Sequence, residues 1–217
     1  MQTKALLFIL FILMSGCTSP EPKNRWQYDA VASLNEYQTH FLQNHLLRAA
    51  SDLSEARGFA SQSSDLHTRI SIELSACAMQ IAVLKPASCE HIEKLLLIEP
   101  NPVQLAYLHL LQMKHTSDEL TLLPIQYRSF ARYMLEQDTK KVNRALSSIQ
   151  PISSRLIASA LAKDLIDEEN IKTLIAGLSY NGYKHPLLGW LKIQMQKEDD
   201  PIVRNRLKAK IDILTSD

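Results

Sequence analysis

The sequence predicts an all-α protein built as a stack of antiparallel helix pairs. Composition, periodicity and the placement of proline all point there. Of 217 residues only 5 are Gly, and aromatic residues make up 6%. Strands draw on aromatic and β-branched runs bounded by Gly and Asn turns. Apolar residues recur at Leu66, Ile70, Leu74, Cys77, Ile81 and Leu84, in steps of three and four, which is one face of an α-helix. Proline then breaks the chain at short intervals, and short links between helices force neighbours to run antiparallel.

The elements follow in order. Helices are expected over 27–44, 46–61, 65–84, 89–98, 102–114, 118–136, 139–149, 152–163, 168–180, 186–197 and 201–214. The helix over 65–84 carries a second apolar row at Ile72, Ala76, Met79 and Val83, so it is expected to be packed on two sides. Lys85-Pro86 stops it, and Ser88 is placed to cap the next helix. Asn101 caps the helix over 102–114, with Pro102 in its first turn. Pro151 and Pro186 open two further helices. In GLSYNG, residues 177–182, Asn181 and Gly182 tolerate left-handed backbone and end a helix. Asp200-Pro201 opens the last helix, which places Val203, Leu207, Ile211 and Leu214 on one face. No Gly/Ser linker follows residue 26, so 27–217 is read as a single domain.

The stretch HTRISIELSACAMQIAVLKPASCEHIEKLLLIEPNP, His67 to Pro102, resembles one tetratricopeptide-type repeat. It has two helices, a short turn and an ending of the form LIEPNP, and its 36 residues are close to the family's 34. The segment 46–61 is similar to the second helix of a preceding repeat, and LLGWLK, residues 187–192, to part of a first helix. No fixed period continues after residue 115. The resemblance implies a tetratricopeptide-like α-solenoid; an irregular α-helical bundle is the alternative.

The N-terminus has a separate logic. Lys4 precedes ten unbroken apolar residues, Ala5 to Met14, and then Ser15, Gly16 and Cys17. A spanning helix needs about 20 apolar residues. A short positive region, a short apolar run and small residues describe an export signal. The run into Cys17 resembles the bacterial lipoprotein signal, the lipobox, with Met14 where the pattern has Leu. The resemblance implies cleavage after residue 16 and acyl chains (palmitate among them) on Cys17, with residues 17–26 as a polar, Pro-bearing tether. Several acyl chains, at about 0.8 kcal/mol per buried methylene, make a durable membrane anchor. Thr18, not Asp, follows the Cys, which by the same resemblance implies the outer membrane, facing the periplasm. An ordinary export signal with an incidental Cys, or an uncleaved helix, are the alternatives.

Lys4 is the one charge among residues 1–16, so the remainder carries 23 basic and 23 acidic residues. A neutral chain lacks the basic surface that nucleic acid requires. Cys77 and Cys89 are the only other cysteines. An exported chain with an even pair points to a disulfide. Two straight antiparallel helices, however, would offset them by about 8–10 Å at 1.5 Å per residue, and Cys77 also fits as a small buried hydrophobe. Cys89, His91, Glu93 and Cys77 lack the converging spacings of a zinc site, and no metal or cofactor is expected. His40 and His45, or His109 and His115, do not have the spacing that pairs imidazoles on a helix.

Tyr127, Arg128, Phe130, Arg132 and Tyr133 form a dense cluster. With Phe130 and Met134 turned inward, Arg128 and Arg132 would share an outer, partner-binding face. Arg204, Arg206, Lys208 and Lys210 lie beside the apolar face of the last helix, which reads as a terminal cap with a solvated side. No catalytic constellation is recognisable. The expected function is a lipid-anchored scaffold or assembly factor that grips envelope proteins in a helical groove. A wall-modifying hydrolase, or a pilotin-like or inhibitory lipoprotein with one client, are the alternatives.

Overall fold

The computed structural model describes residues 24–216, and among these it is helical with no strand. Cys17, expected to carry the lipid anchor, and the expected export signal before it lie outside the described residues. The helices are α1 (Arg25–Leu42), α2 (Leu46–Ala60), α3 (Leu66–Ala82), α4 (Glu90–Ile98), α5 (Pro102–Leu111), α6 (Ile125–Leu135), α7 (Thr139–Ser148), α8 (Ile152–Leu161), α9 (Glu168–Tyr180), α10 (Lys184–Lys197) and α11 (Pro201–Thr215). A single 3₁₀ turn, Ser117–Glu119, lies between α5 and α6. The all-α fold of packed helix pairs read from the sequence is the one observed.

Local chemistry sets the ends. Asp65, Asn101, Asp138, Asp167 and Asp200 each accept a hydrogen bond from a free N–H of the first turn they precede. Five helices close alike. Asn44, Leu84, Met113, Gln137 and Gly182 take positive φ. The next residue's N–H in each case returns to a carbonyl five positions back, as in His45 N to His40 O and Lys114 N to His109 O, both at 2.8 Å. This is the Schellman closure, and four of its five pivots are not glycine.

The predicted helix over 118–136 is two elements. Pro124 has no N–H to give to a helix and keeps its predecessor out of helical geometry. Its own backbone is extended (φ −52°, ψ 136°), and α6 starts only after it. Ser88 is not a cap: Cys89 takes that place, one residue later. At the end of α9, Gly182 alone is left-handed, while Asn181 stays right-handed and donates from Nδ2 to Gly177 O.

The core forms around α3, whose Ile70, Ile72, Glu73, Leu74, Cys77, Ala78, Met79 and Ala82 are buried. It packs against α1, α2, α4, α5 and α8, so it is enclosed on more than the two sides predicted. Between α1 and α2 a small cluster of buried Ala30, Ala56 and Ala60 sits over Ile72 of α3, with Leu34, Leu53 and Phe59 packed around it. The chain then returns on itself. α10 packs against α1, His185 Nδ1 donates to Phe41 O at 3.0 Å, and the two rings lie 4.8 Å apart. Trp190 is fully buried on α10. In an open solenoid each repeat meets only its neighbours; the α3–α8 and α1–α10 contacts belong to the bundle alternative. α11 covers α10 with Leu207 and Ile211, leaving Arg204, Arg206, Lys208 and Lys210 in solvent. Among the described residues no helix is long and apolar enough to cross a membrane.

Candidate functional site

A cleft of about 400 Å³ opens over the middle of α3. Its floor is Ser71, Leu74, Ser75, Ala78 and Met79 of α3. One wall is Gln38 of α1 and the other is Val103, Gln104 and Tyr107 of α5. Pro124, with Gln126 and Tyr127 of α6 and Ser153, Ser154 and Ile157 of α8, closes the end. The fold builds this site in two ways. Serines four apart lie on one helical face, so Ser71 and Ser75 line up along α3. The break at Pro124 turns α6 so that Tyr127 reaches the cleft.

The lining holds no acidic or basic side chain. Gln38 Nε2 donates to Ser75 Oγ at 2.7 Å. Gln104 Nε2 donates to Ser71 Oγ at 2.9 Å and to His67 O at 2.8 Å. Gln104 Oε1 is buried and has no protein donor. Tyr107 and Tyr127 stack with centroids 5.9 Å apart. Burial pushes both phenols above their ordinary value, Tyr107 the further. The cleft is therefore neutral, rich in carboxamides and hydroxyls, and of a size common for ligand sites.

Of the cluster singled out from the sequence, Tyr127 lines the cleft; the candidate site residues fall elsewhere. Cys77 and Cys89 are joined in a disulfide, with Cα atoms 5.9 Å apart. The expected offset of 8–10 Å does not arise, because α3 ends at Ala82 and the non-helical segment 83–88 runs back beside it. Arg128 is half-buried and donates from Nε to Leu123 O at 2.8 Å, tying down the loop before α6. Arg132, one turn further on, is exposed, while Tyr127 and Phe130 are buried.

His91 turns neither to Glu93 nor to the cysteines but to Glu73. Glu73 is a carboxylate only 3% exposed, held by Arg57 from α2 and Arg69 from α3. Burial pushes its pKa up, but the Arg57 hydrogen bond and the charges of Arg57 and Arg69 outweigh this and hold it below the usual value. Arg69 and Glu73 stand four apart on α3, a spacing legible in the sequence, but nothing in the sequence pairs Arg57 with Glu73, 16 apart on different helices.

His40 and His109 are likewise paired with carboxylates, Asp52 at 2.7 Å and Glu119 at 2.6 Å. Asp65, His67 and Glu99 bring three ligand-type side chains together. Asp65 already accepts from His67 N and Glu99 from Leu66 N, and Glu99 Oε1 lies 3.2 Å from His67 Nε2. They serve as the cap of α3.

Ser71 and Ser75 carried a sequence signal, a polar pair at helical spacing between the two apolar rows of α3. No protein-family model, no curated protein and no solved structure matches the chain.

Proposed function

We propose that this chain is a lipid-anchored envelope lipoprotein that holds a partner protein in the cleft over α3. The single observation behind the partner-binding part is the cleft itself, a preformed neutral groove walled by the alternate helices α1 and α5. A groove of carboxamides and hydroxyls, with no acid–base pair or nucleophile–base pair in its lining, suits recognition rather than bond cleavage. The lipobox-like run into Cys17 supports anchoring. The Cys77–Cys89 cross-link supports an oxidising compartment, where such bonds persist.

The test is photo-crosslinking in intact envelopes. A photoreactive residue replaces Gln126 in the cleft, and a second variant carries it at Ser147 on α7, outside the cleft. Cys17→Ala accompanies both. The expected result is one stoichiometric protein adduct from position 126, absent from 147, with the Cys17→Ala protein released from the membrane fraction. A folded, membrane-bound protein that crosslinks from 126 only to lipid, or to nothing, overturns the partner-binding reading. Cys17→Ala protein that remains on the membrane overturns the anchor.

A further inference from the structure

Resting on the reading of the cleft as the partner-binding site, we infer that its ligand is a short, uncharged, extended peptide segment, bound chiefly through its main chain.

Charge sets the first limit. No lining side chain is ionised. A ligand carboxylate, phosphate or ammonium would give up part of its hydration with no opposite charge to replace it. The ligand is therefore neutral where it enters.

The floor sets the second limit. Ser71 Oγ and Ser75 Oγ each accept a carboxamide proton, from Gln104 and Gln38. Neither hydroxyl proton has a protein acceptor among the described residues. Ser71 is exposed and Ser75 half-buried, so both can donate to a ligand. Four residues along a helix rise about 6 Å. In an extended chain, two residues advance about 6.6 Å, and alternate carbonyls lie on the same edge. Two carbonyls of one strand edge thus match the two serine hydroxyls, with the carboxamides holding each hydroxyl in its donating orientation. Leu74, Ala78, Met79, Val103 and Ile157 leave apolar surface for small side chains on either side.

A neutral sugar is the other ligand with this polarity. Sugars pack on exposed aromatic faces, and here the two rings are stacked on each other, with Tyr127 only 2% exposed. The site offers edges and amides instead.

The probe is a pool of N-acetylated, C-amidated hexapeptides made from Ala, Val, Leu, Ser and Thr. It is incubated with the full-length protein in detergent micelles and read by mass spectrometry after affinity capture. The best binder is then measured against three analogues: a central Asp or Lys, esters replacing the two central amides, and a trimer of N-acetylglucosamine. Neutral peptide should bind saturably. The Asp and Lys analogues should bind at least about tenfold more weakly, and the ester analogue about three- to tenfold more weakly, one to two hydrogen bonds' worth. Ser71→Ala with Ser75→Ala should weaken the neutral peptide about tenfold; because the variant also removes the acceptors of the Gln38 and Gln104 carboxamides, binding is read well below its own, lowered melting temperature.

Equal binding of charged or ester analogues, preference for the sugar, or no retained neutral peptide each overturns the inference. A protein adduct from position 126 together with no peptide binding leaves partner binding standing and removes the peptide assignment. An adduct only from outside the cleft removes both.

Discussion

The cross-link between Cys77 and Cys89 should be the largest single covalent contribution to stability in the described domain. The two residues are 12 apart, so the bond closes a loop of about 13 residues. In the chain-entropy treatment such a loop removes about 10 cal/mol/K from the unfolded ensemble, or about 3 kcal/mol at 25 °C. Unfolding a domain of this length carries an entropy of roughly 0.4 kcal/mol/K, so losing the bond should lower Tm by about 7 °C. The assay is thermal unfolding by circular dichroism of the wild-type protein with and without a phosphine reductant, beside the Cys77→Ala, Cys89→Ala double variant. Reduced wild-type protein keeps both sulfur atoms in place and isolates the cross-link. The double variant also loses two buried side chains and should fall about 1 kcal/mol further. A wild-type Tm that reductant moves by less than 1 °C, with thiol counting to prove reduction, would refute the reasoning.

Three further outcomes are expected. Glu73→Gln leaves Arg57 and Arg69 without their carboxylate. It should cost about 2–3 kcal/mol by urea titration, short of the 3–5 of a fully buried pair because the arginines are 37% and 35% exposed. Because the pKa of Glu73 is depressed in the folded state, its stabilisation is complete above about pH 4.5 and is lost as pH falls through its folded value; Glu73→Gln should flatten that part of the acid profile. His185 is also depressed, by burial first and by the nearby charge of Lys85, so the wild-type urea midpoint should fall as pH drops below about 6.5. His185→Asn, which keeps a donor for Phe41 O, should reduce that fall. Gln137 is an exposed left-handed pivot, so Gln137→Gly should stabilise by about 0.5–1 kcal/mol, the left-handed penalty less glycine's entropy; calorimetry would read it directly.

Much of this fold was legible because its helices announce their own ends. Asn101-Pro102 and Asp200-Pro201 satisfy or remove the free N–H groups of a first turn by purely local means, and the helices start there. The face of α3 was legible for the same reason, since a period of three and four is a property of one segment. Pro124 was legible in principle: it carries the same steric veto as the prolines that were read as breaks. What could not be read were distances between segments far apart in the chain. His185 reaches Phe41 across 144 residues, and no local rule encodes that. The cleft has the same origin. Each of its glutamines and serines is an ordinary polar position on its own helix, and only the packing of α1, α5, α6 and α8 around α3 sets them facing one another. The cysteine pair lay between these cases, with the residues visible but the path of segment 83–88 not.

The meeting of α10 with α1 restricts how this protein can change in length. An open helical array can gain or lose a helix pair anywhere and still fold, because every junction is alike. Here the last third of the chain has an address: it must arrive beside Phe41. Deleting one pair, for example α6 with α7, would carry His185 and Trp190 past or short of that address and uncover two buried surfaces at once. Variation is therefore confined to places that leave the circuit length unchanged: the loops and the outer face of α11.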